Sequence, residues 1–409
     1  MSSTVNTGTA SGSNDRSRLA EPSLPLVIAT MHRPEGITGV QTHVRELRQY
    51  LERHGRTASL ITPFSWGGLL TVPAFGPRLA LARVSGPASV AWHRHWHEMF
   101  LRIALRRHLA AMDECVVYAQ GPLAARAALR ARRGPRQRVI MAIHFRVSQA
   151  DEWADKKLIA RDGTVFRRIR RMERQVIPRV DGLVSVTAWA RDALVAWLPE
   201  AATVPYAVIG NFVHLQHVSA DPQPLGDLVT IGNLELVKNH RFLLKTLAEA
   251  NRRGRHYTLD VYGEGPCRAD LSQLALSLGL EDQVRFHGFR GDVRTFLPRY
   301  RAYVHAAYSE SSSLAIMESM AAGLPIVAGY LAPLAELCDQ GVEGRFYPLD
   351  DPVEAADTLI DLLDCEPARA KAARAARERF HRDFDAEVVA PRLLSFLEDP
   401  TRTGIEETS

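Results

Sequence analysis

Ser309-Glu-Ser-Ser-Ser-Leu-Ala-Ile-Met-Glu-Ser-Met-Ala-Ala-Gly-Leu-Pro-Ile-Val327 reads as a loop, a helix, a stop and a buried strand. Ser311, Ser312 and Ser313 are good N-cap residues, and the run from Leu314 to Ala322 is built of good helix formers. Gly323 supplies a C-terminal stop, and Pro325-Ile-Val-Ala328 has the apolar character of a buried strand. Glu310 therefore stands in the loop before a helix, and Glu318 stands inside it.

Helical rise limits the separation of the two glutamates to about 12 Å. The carboxyl pair of a glycosidase stands about 5 to 9.5 Å apart across one bond, so these two are not read as such a pair. Two acceptors flanking a helix N-terminus suit an elongated, hydroxyl-rich ligand with an anionic centre. The N-terminus holds the phosphate, and a carboxylate at each end takes hydroxyls, a description that a nucleotide sugar fits. The plainer alternative is a pair of surface carboxylates favoured by the helix dipole. Against it, Glu318 falls between Met317 and Met320, where a buried carboxylate needs a partner.

Outward from this stretch, short apolar runs recur between helical segments, the pattern of an α/β chain. In the first half they are Leu24–Met31, Thr57–Thr62, Glu114–Ala119, Arg138–Ile143, Asp181–Thr187 and Val204–Ile209. In the second half they are Leu228–Ile231, Tyr257–Tyr262, Gln283–His287, Arg301–Ala306, Pro325–Ala328 and Arg345–Tyr347. The polar segment 219–226, with two prolines, is the best linker between them. Two parallel-sheet domains, 21–218 and 227–384, are expected to face each other across a cleft that holds the ligand. Residues 385–398 carry apolar positions at helical spacing and form a last helix able to pack on either domain. Residues 1–20 and 399–409 read as disordered tails, the first lacking the apolar core of a signal peptide.

A chain of 409 residues is too long for one ordinary core, which agrees with two domains. No run of eighteen apolar residues occurs, so no spanning helix is expected. The four cysteines are scattered without metal-ligand spacing, which points to reduced thiols in the cytosol and to no metal site. The net charge of +5 hides an asymmetry: residues 101–180 hold 19 Lys and Arg against 7 Asp and Glu, a local balance of +12. Such a sector suits an anionic partner, a phospholipid surface or a phosphorylated acceptor, or else is simply a solvated arginine-rich face. Nucleic acid ranks low, because no aromatic-interleaved basic motif or zinc spacing accompanies the charge.

Several of these pieces match one family in its order. Thr230-Ile-Gly-Asn-Leu-Glu-Leu-Val-Lys-Asn239 resembles its diphosphate loop, Val261-Tyr-Gly-Glu-Gly-Pro266 its glycine turn, and Val284-Arg-Phe-His-Gly288 the strand that follows. Glu310 to Glu318 is similar to its Glu-x7-Glu motif. Gly39-Val-Gln-Thr-His-Val44 and the strand ending in His144 match more loosely. The chain thus resembles the retaining glycosyltransferases of family 4, with the two-domain GT-B fold, over roughly residues 24–398.

The resemblance implies roles for particular residues. Lys238 neutralises the donor diphosphate, Glu310 holds hydroxyls of the transferred sugar, and Glu318 holds those of the ribose. Gly39 lets backbone approach the donor, while Asn233, Ser311, Ser312, Ser313 and Leu314 line it. His144 polarises a sugar hydroxyl near the reacting carbon. The co-substrate is a nucleotide-diphosphate sugar, with no cofactor or metal, and the acceptor is a hydroxyl, lipid-linked or on a polysaccharide. A cytoplasmic protein, peripheral to the membrane, is the corresponding expectation. The rival readings are a nucleotide-sugar epimerase of the same fold and a non-catalytic module that binds sugar nucleotide or anionic lipid.

Two departures stand out. Asn233 occupies a position usually basic in the family, and Ser311-Ser312-Ser313 replace Gly-Phe-Gly. Three other signals read as structural. Gly263-Glu-Gly265 lacks the third glycine of a dinucleotide site, since Arg268 stands there. Asp383-Phe-Asp385 has metal-binding spacing but lies in an arginine-rich tail. Trp92, Trp96, Phe100 and Ile103 form a helical stripe that reads as packing on its own sheet, with a membrane-lying helix as the alternative.

Overall fold

Each of the twelve apolar runs coincides with a strand, with ends shifted by no more than two residues. The computed structural model describes residues 24–36, 38–65, 76–145, 147–215 and 223–401. The expected tail 1–20, the linker's first half at 219–222 and the tail's end at 402–409 lie outside the described residues.

The first sheet is built from β1 (Leu26–Ala29), β2 (Ala58–Ile61), β3 (Cys115–Gln120), β4 (Gln137–Ile143), β5 (Gly182–Ser185) and β6 (Tyr206–Val208). Its order is β2-β1-β3-β4-β5-β6, and every pairing is parallel. The second sheet takes β7 (Leu228–Ile231), β8 (Leu259–Tyr262), β9 (Val284–Gly288), β10 (Ala302–His305), β11 (Ile326–Gly329) and β12 (Gly344–Tyr347). Its order is β12-β11-β10-β7-β8-β9, again all parallel. Chain order reverses between β1 and β3 in one sheet and between β7 and β10 in the other. Loops diverge at such points and open a crevice at the carboxyl ends of the strands.

Parallel strands covered on both faces read as continuous apolar runs, and β1, β3, β8 and β10 are buried throughout. One face of the first sheet packs Val27 and Val117 against Leu101, Leu105, Ala124 and Ala128. Its other face packs Ile28 and Ile140 against Leu47 and Leu51 of helix Gly39–Arg53 and against Leu393 and Leu397 of helix Ala386–Glu398. In the second sheet Tyr303 and Ile326 meet Met317, Met320 and Phe380.

The last helix therefore belongs spatially to the first sheet. The chain crosses back where the Val213 N–H donates to the Phe384 carbonyl at 3.1 Å and the Ala386 N–H donates to the Val213 carbonyl at 3.2 Å. Asp383-Phe-Asp385 lies at this crossing. Asp383 pairs with Arg379 at 2.5 Å, and Asp385 caps the new helix through the Glu387 N–H at 3.1 Å. Helix Gly86–His108 turns Val90, His97, Phe100, Leu101 and Leu105 inward, leaving Trp92, Trp96 and Ile103 half-buried. The stripe is thus turned inward only through Phe100, and the rest of the buried face runs one position further on, through His97, Leu101 and Leu105.

Leu393, on the last helix, is fully buried in the core it shares with helix Gly39–Arg53 and the first sheet. Leu393→Ala is expected to lower unfolding free energy by about 2–5 kcal/mol in urea titration. A loss below about 1 kcal/mol would mean that the last helix contributes little to the first sheet's core.

Candidate active site between the two sheets

The carboxyl ends of β7 and β10 place Lys238 and Glu310 beside each other. After β7 the chain turns through Gly232 and Asn233, forms a single 3-10 turn at Leu236–Lys238, and enters helix His240–Arg252 through Asn239 in the left-handed conformation. Gly263, at φ +151°, crosses this loop so closely that a Cβ there would lie 1.9 Å from the Gly232 carbonyl oxygen. The glycine turn is thus a close backbone crossing that fixes the loop bearing Lys238, with Asn233 half-buried in it.

Lys238 Nζ donates to Glu310 Oε2 at 2.5 Å, and His305 Nε2 lies 3.8 Å from the same oxygen. Burial opposes the charged form of Glu310, but the Lys238 ammonium, with His305 and the Ser311 N–H, outweighs it and holds the carboxyl below its ordinary value. His305 goes the other way: burial, reinforced by Lys238, pushes its pKa down to about 4. At neutral pH the site thus carries one cation, one anion and a neutral imidazole.

Ser311, Ser312 and Ser313 lead into helix Leu314–Ala321. Ser313 takes the N-cap position, but its hydroxyl makes no capping bond. The serines' expected capping is therefore not realised, and the first N–H groups of the helix are not closed by the cap side chain. Ser312 is buried with its hydroxyl lacking a protein partner.

The first sheet meets this loop directly. The Ser311 hydroxyl donates to the His144 carbonyl at 2.9 Å, joining the residue after Glu310 to the residue after β4. His144 Nε2 lies 2.8 Å from Gln120 Oε1 at the end of β3, so that nitrogen carries the proton when the amide oxygen accepts. Burial, with His43 and His32 adding, holds the His144 imidazole well below its ordinary pKa. Gly39 begins helix Gly39–Arg53 behind a Thr38/Gln41 capping box, and a Cβ on it would stand 4.0 Å from Leu314 Cδ1. Gly39 and Leu314 therefore face each other across the cleft.

Glu318 stands apart from the Lys238 pair. Its Oε1 accepts from Arg294 at 2.6 and 2.9 Å, and Arg294 reaches on to Glu46 Oε1 of the first domain at 2.9 Å. His214 donates its backbone N–H and Nδ1 to Glu46 Oε2 at 2.9 and 2.7 Å. A second bridge joins Glu336 to the N-terminus of helix Ala188–Trp197, accepting from the Ala188 and Trp189 N–H groups at 2.8 and 2.7 Å.

Sequence reading brought out Lys238, Glu310, Glu318, Gly39, His144 and the serine run, all of which lie at the facing carboxyl edges of the sheets. It missed Arg294, Glu46, Gln120 and His305. The one signal pointing to Arg294 was the need of Glu318 for a partner, and that need names no position. His305 had a usable signal, a histidine closing the strand before Glu310.

Two parallel sheets whose switch points face each other, with a lysine–carboxylate pair at the switch point of the second, have the layout of the GT-B fold. The matches to known families bear this out. Residues 218–379 match the family model described as Glycosyl transferases group 1, and residues 37–217 match Glycosyltransferase Family 4. The chain belongs to glycosyltransferase family 4 and is a glycosyltransferase. The phosphatidyl-myo-inositol mannosyltransferase of Mycolicibacterium smegmatis is 26% identical over 390 residues, spanning 90% of this chain and 92% of that one. In fold, sucrose-phosphate synthase from Thermosynechococcus elongatus superposes with a TM-score of 0.72 at 16% identity, covering 91% of this chain and 98% of that one. The Anabaena HepE protein in complex with UDP gives 0.67 at 16% identity, with 91% and 99% covered.

Burial raises the Glu46 carboxyl, yet the His214 hydrogen bond and Arg294 more than reverse this, bringing its pKa from 4.5 down to about 2. A carboxyl depressed on folding stabilises the fold above its ordinary pKa and loses that contribution as pH falls toward the depressed value. The contribution at neutral pH is on the order of 3 kcal/mol. Chemical denaturation is expected to show stability falling as pH drops from about 4.5 through about 2, and Glu46→Gln should be less stable at pH 7 with a flatter pH dependence. Parallel pH curves for the two proteins would remove Glu46 as the source.

Proposed function

We propose that the chain moves a sugar from a nucleotide-diphosphate donor to a hydroxyl acceptor, without a metal and with the anomeric configuration kept. The observation that carries this reading is the Lys238–Glu310 pair at the β7/β10 switch point, beside a helix N-terminus whose cap hydroxyl leaves it open. Anionic oxygens of the diphosphate take the Lys238 ammonium and the helix N–H groups. Freed from the lysine, Glu310 accepts hydroxyls of the transferred sugar, and Glu318, further along the same helix, accepts those of the ribose.

Cleavage of the bond between the anomeric carbon and phosphate oxygen builds negative charge on the leaving diphosphate. Lys238 and the N–H groups are preorganised for that charge. The acceptor oxygen attacks the same face, and its proton passes to the departing phosphate oxygen. His144, neutral at working pH, polarises a sugar hydroxyl from the opposite wall. Contacts between the walls, such as Ser311 to the His144 carbonyl, help exclude water that would hydrolyse the donor.

A lipid-borne or polysaccharide hydroxyl is the acceptor class put forward. The mycobacterial relative, named for a phosphatidyl-myo-inositol acceptor, supports the lipid form, as does the basic sector at 101–180. The proposed setting is the cytoplasm, at the inner membrane face when the acceptor is lipid. The unpaired state of all four cysteines agrees with a reducing compartment. Among the described residues no helix is long and apolar enough to cross a membrane.

Lys238→Ala and Glu310→Gln are each expected to lower transfer by about 100-fold or more, measured as glycoside formed from the donor that stabilises the fold in a thermal-shift panel of UDP-, GDP-, ADP- and dTDP-sugars. Near-wild-type turnover in both variants would sink the assignment. Transfer abolished by chelator and restored by a divalent cation would overturn metal independence.

A further inference from the structure

Four groups, two buried and two nearly so, form an unbroken polar chain from the first domain to the second: His214, Glu46, Arg294 and Glu318. Glu46 and His214 are 1% and 3% exposed, and Glu318 and Arg294 are 12% and 13% exposed. Glu46 spends Oε2 on the two His214 donors and Oε1 on Arg294 Nη2 at 2.9 Å. That same Nη2 donates to Glu318 Oε1 at 2.6 Å, and Arg294 Nε donates to Oε1 as well, at 2.9 Å.

The geometry is informative because an arginine left alone with a carboxylate prefers the fork, with one N–H on each oxygen. Here both contacts fall on a single oxygen. The second carboxylate, Glu46, draws Nη2 toward the first domain and keeps the guanidinium from squaring up to Glu318. Oε2 of Glu318 stays outside the pairing. It stands on the helix whose N-terminus faces the Lys238 site, just over one turn from Leu314. A nucleotide with its phosphates at that N-terminus brings its ribose to this height.

We infer that Arg294 and Glu46 are positioning residues for the donor: together they pin Oε1 of Glu318 and leave Oε2 to the ribose hydroxyls. This rests on the donor reading above and adds a control to it. Glu46 touches no donor and belongs to the other domain, yet it decides how Glu318 is presented. Without its charge, Arg294 closes the fork on Glu318 and competes with the ribose for Oε2. Without Arg294, Glu318 loses the cation that orients it. Ribose recognition is therefore complete only when the two domains are docked.

Isothermal titration of the full chain with UDP, GDP, ADP and CDP, then with the 2′,3′-dideoxy form of whichever binds, tests this. Glu46→Gln and Arg294→Met are each expected to weaken the ribonucleotide about tenfold, with the double variant resembling Arg294→Met alone because the two act on one contact. The dideoxy nucleotide, which has no hydroxyl for Oε2, is expected to change by less than about twofold in either variant. Equal losses for both nucleotides, or unchanged ribonucleotide binding by folded variants, would overturn the inference and leave the donor reading intact. If Glu46→Gln does not fold, Arg294→Met with the same pair of nucleotides decides. Failure of the wild type to bind any of the four, or dTDP, would overturn the donor reading itself.

Discussion

Every carboxylate buried where the two sheets meet needs a cation or a set of N–H groups, and the layout of the molecule follows from how that need is met. Glu310 takes Lys238 from the neighbouring loop, and Glu318 takes Arg294 from beyond β9. Glu46 takes His214 and the far side of the same arginine, while Glu336 takes the N-terminus of a helix in the other domain. An unpaired charge at these positions would cost several kcal/mol. The loops cannot drift independently without leaving one, so the same pairs that stabilise the junction also hold the site in register.

The pairs differ in what a ligand does to them. On the proposed reading, Lys238 and Glu310 satisfy each other only until a phosphate and a sugar arrive and each gains a better-matched partner. Their bond is an exchangeable one, short and partly open to solvent. The Arg294 cluster is almost sealed and joins residues from both domains. It fits a permanent brace rather than a group that must be released. Neutral imidazoles at His144 and His305 keep the surroundings free of further charge, because burial holds both well below the ordinary histidine pKa.

Much of this was legible in the sequence because local chemistry wrote it there. Short apolar runs between helices read as strands, and each of the twelve coincides with one, although the edge strands β6 and β9 expose part of their length. The stretch from Glu310 to Gly323 carried its own loop, helix and stop. What it did not carry was the side-chain outcome at Ser313, where a good capping residue leaves the cap open. Helix Gly86–His108 shows the same limit. Its aromatic stripe at Trp92 and Trp96 was visible, but the row turned to the sheet runs through His97, Leu101 and Leu105.

The sequence by itself determined the elements, the pairing of two α/β halves, and the motif residues Lys238, Glu310 and Glu318, since each depends on neighbours a few positions away. Only the tertiary structure decided the partners. Arg294 lies 24 positions from Glu318 and 248 from Glu46, and the last helix returns to a sheet begun some 360 residues earlier. Spacing along a chain sets a local geometry, whereas a buried charge accepts whichever partner the fold delivers. Which residue that is depends on how the two sheets meet, and no local pattern encodes it.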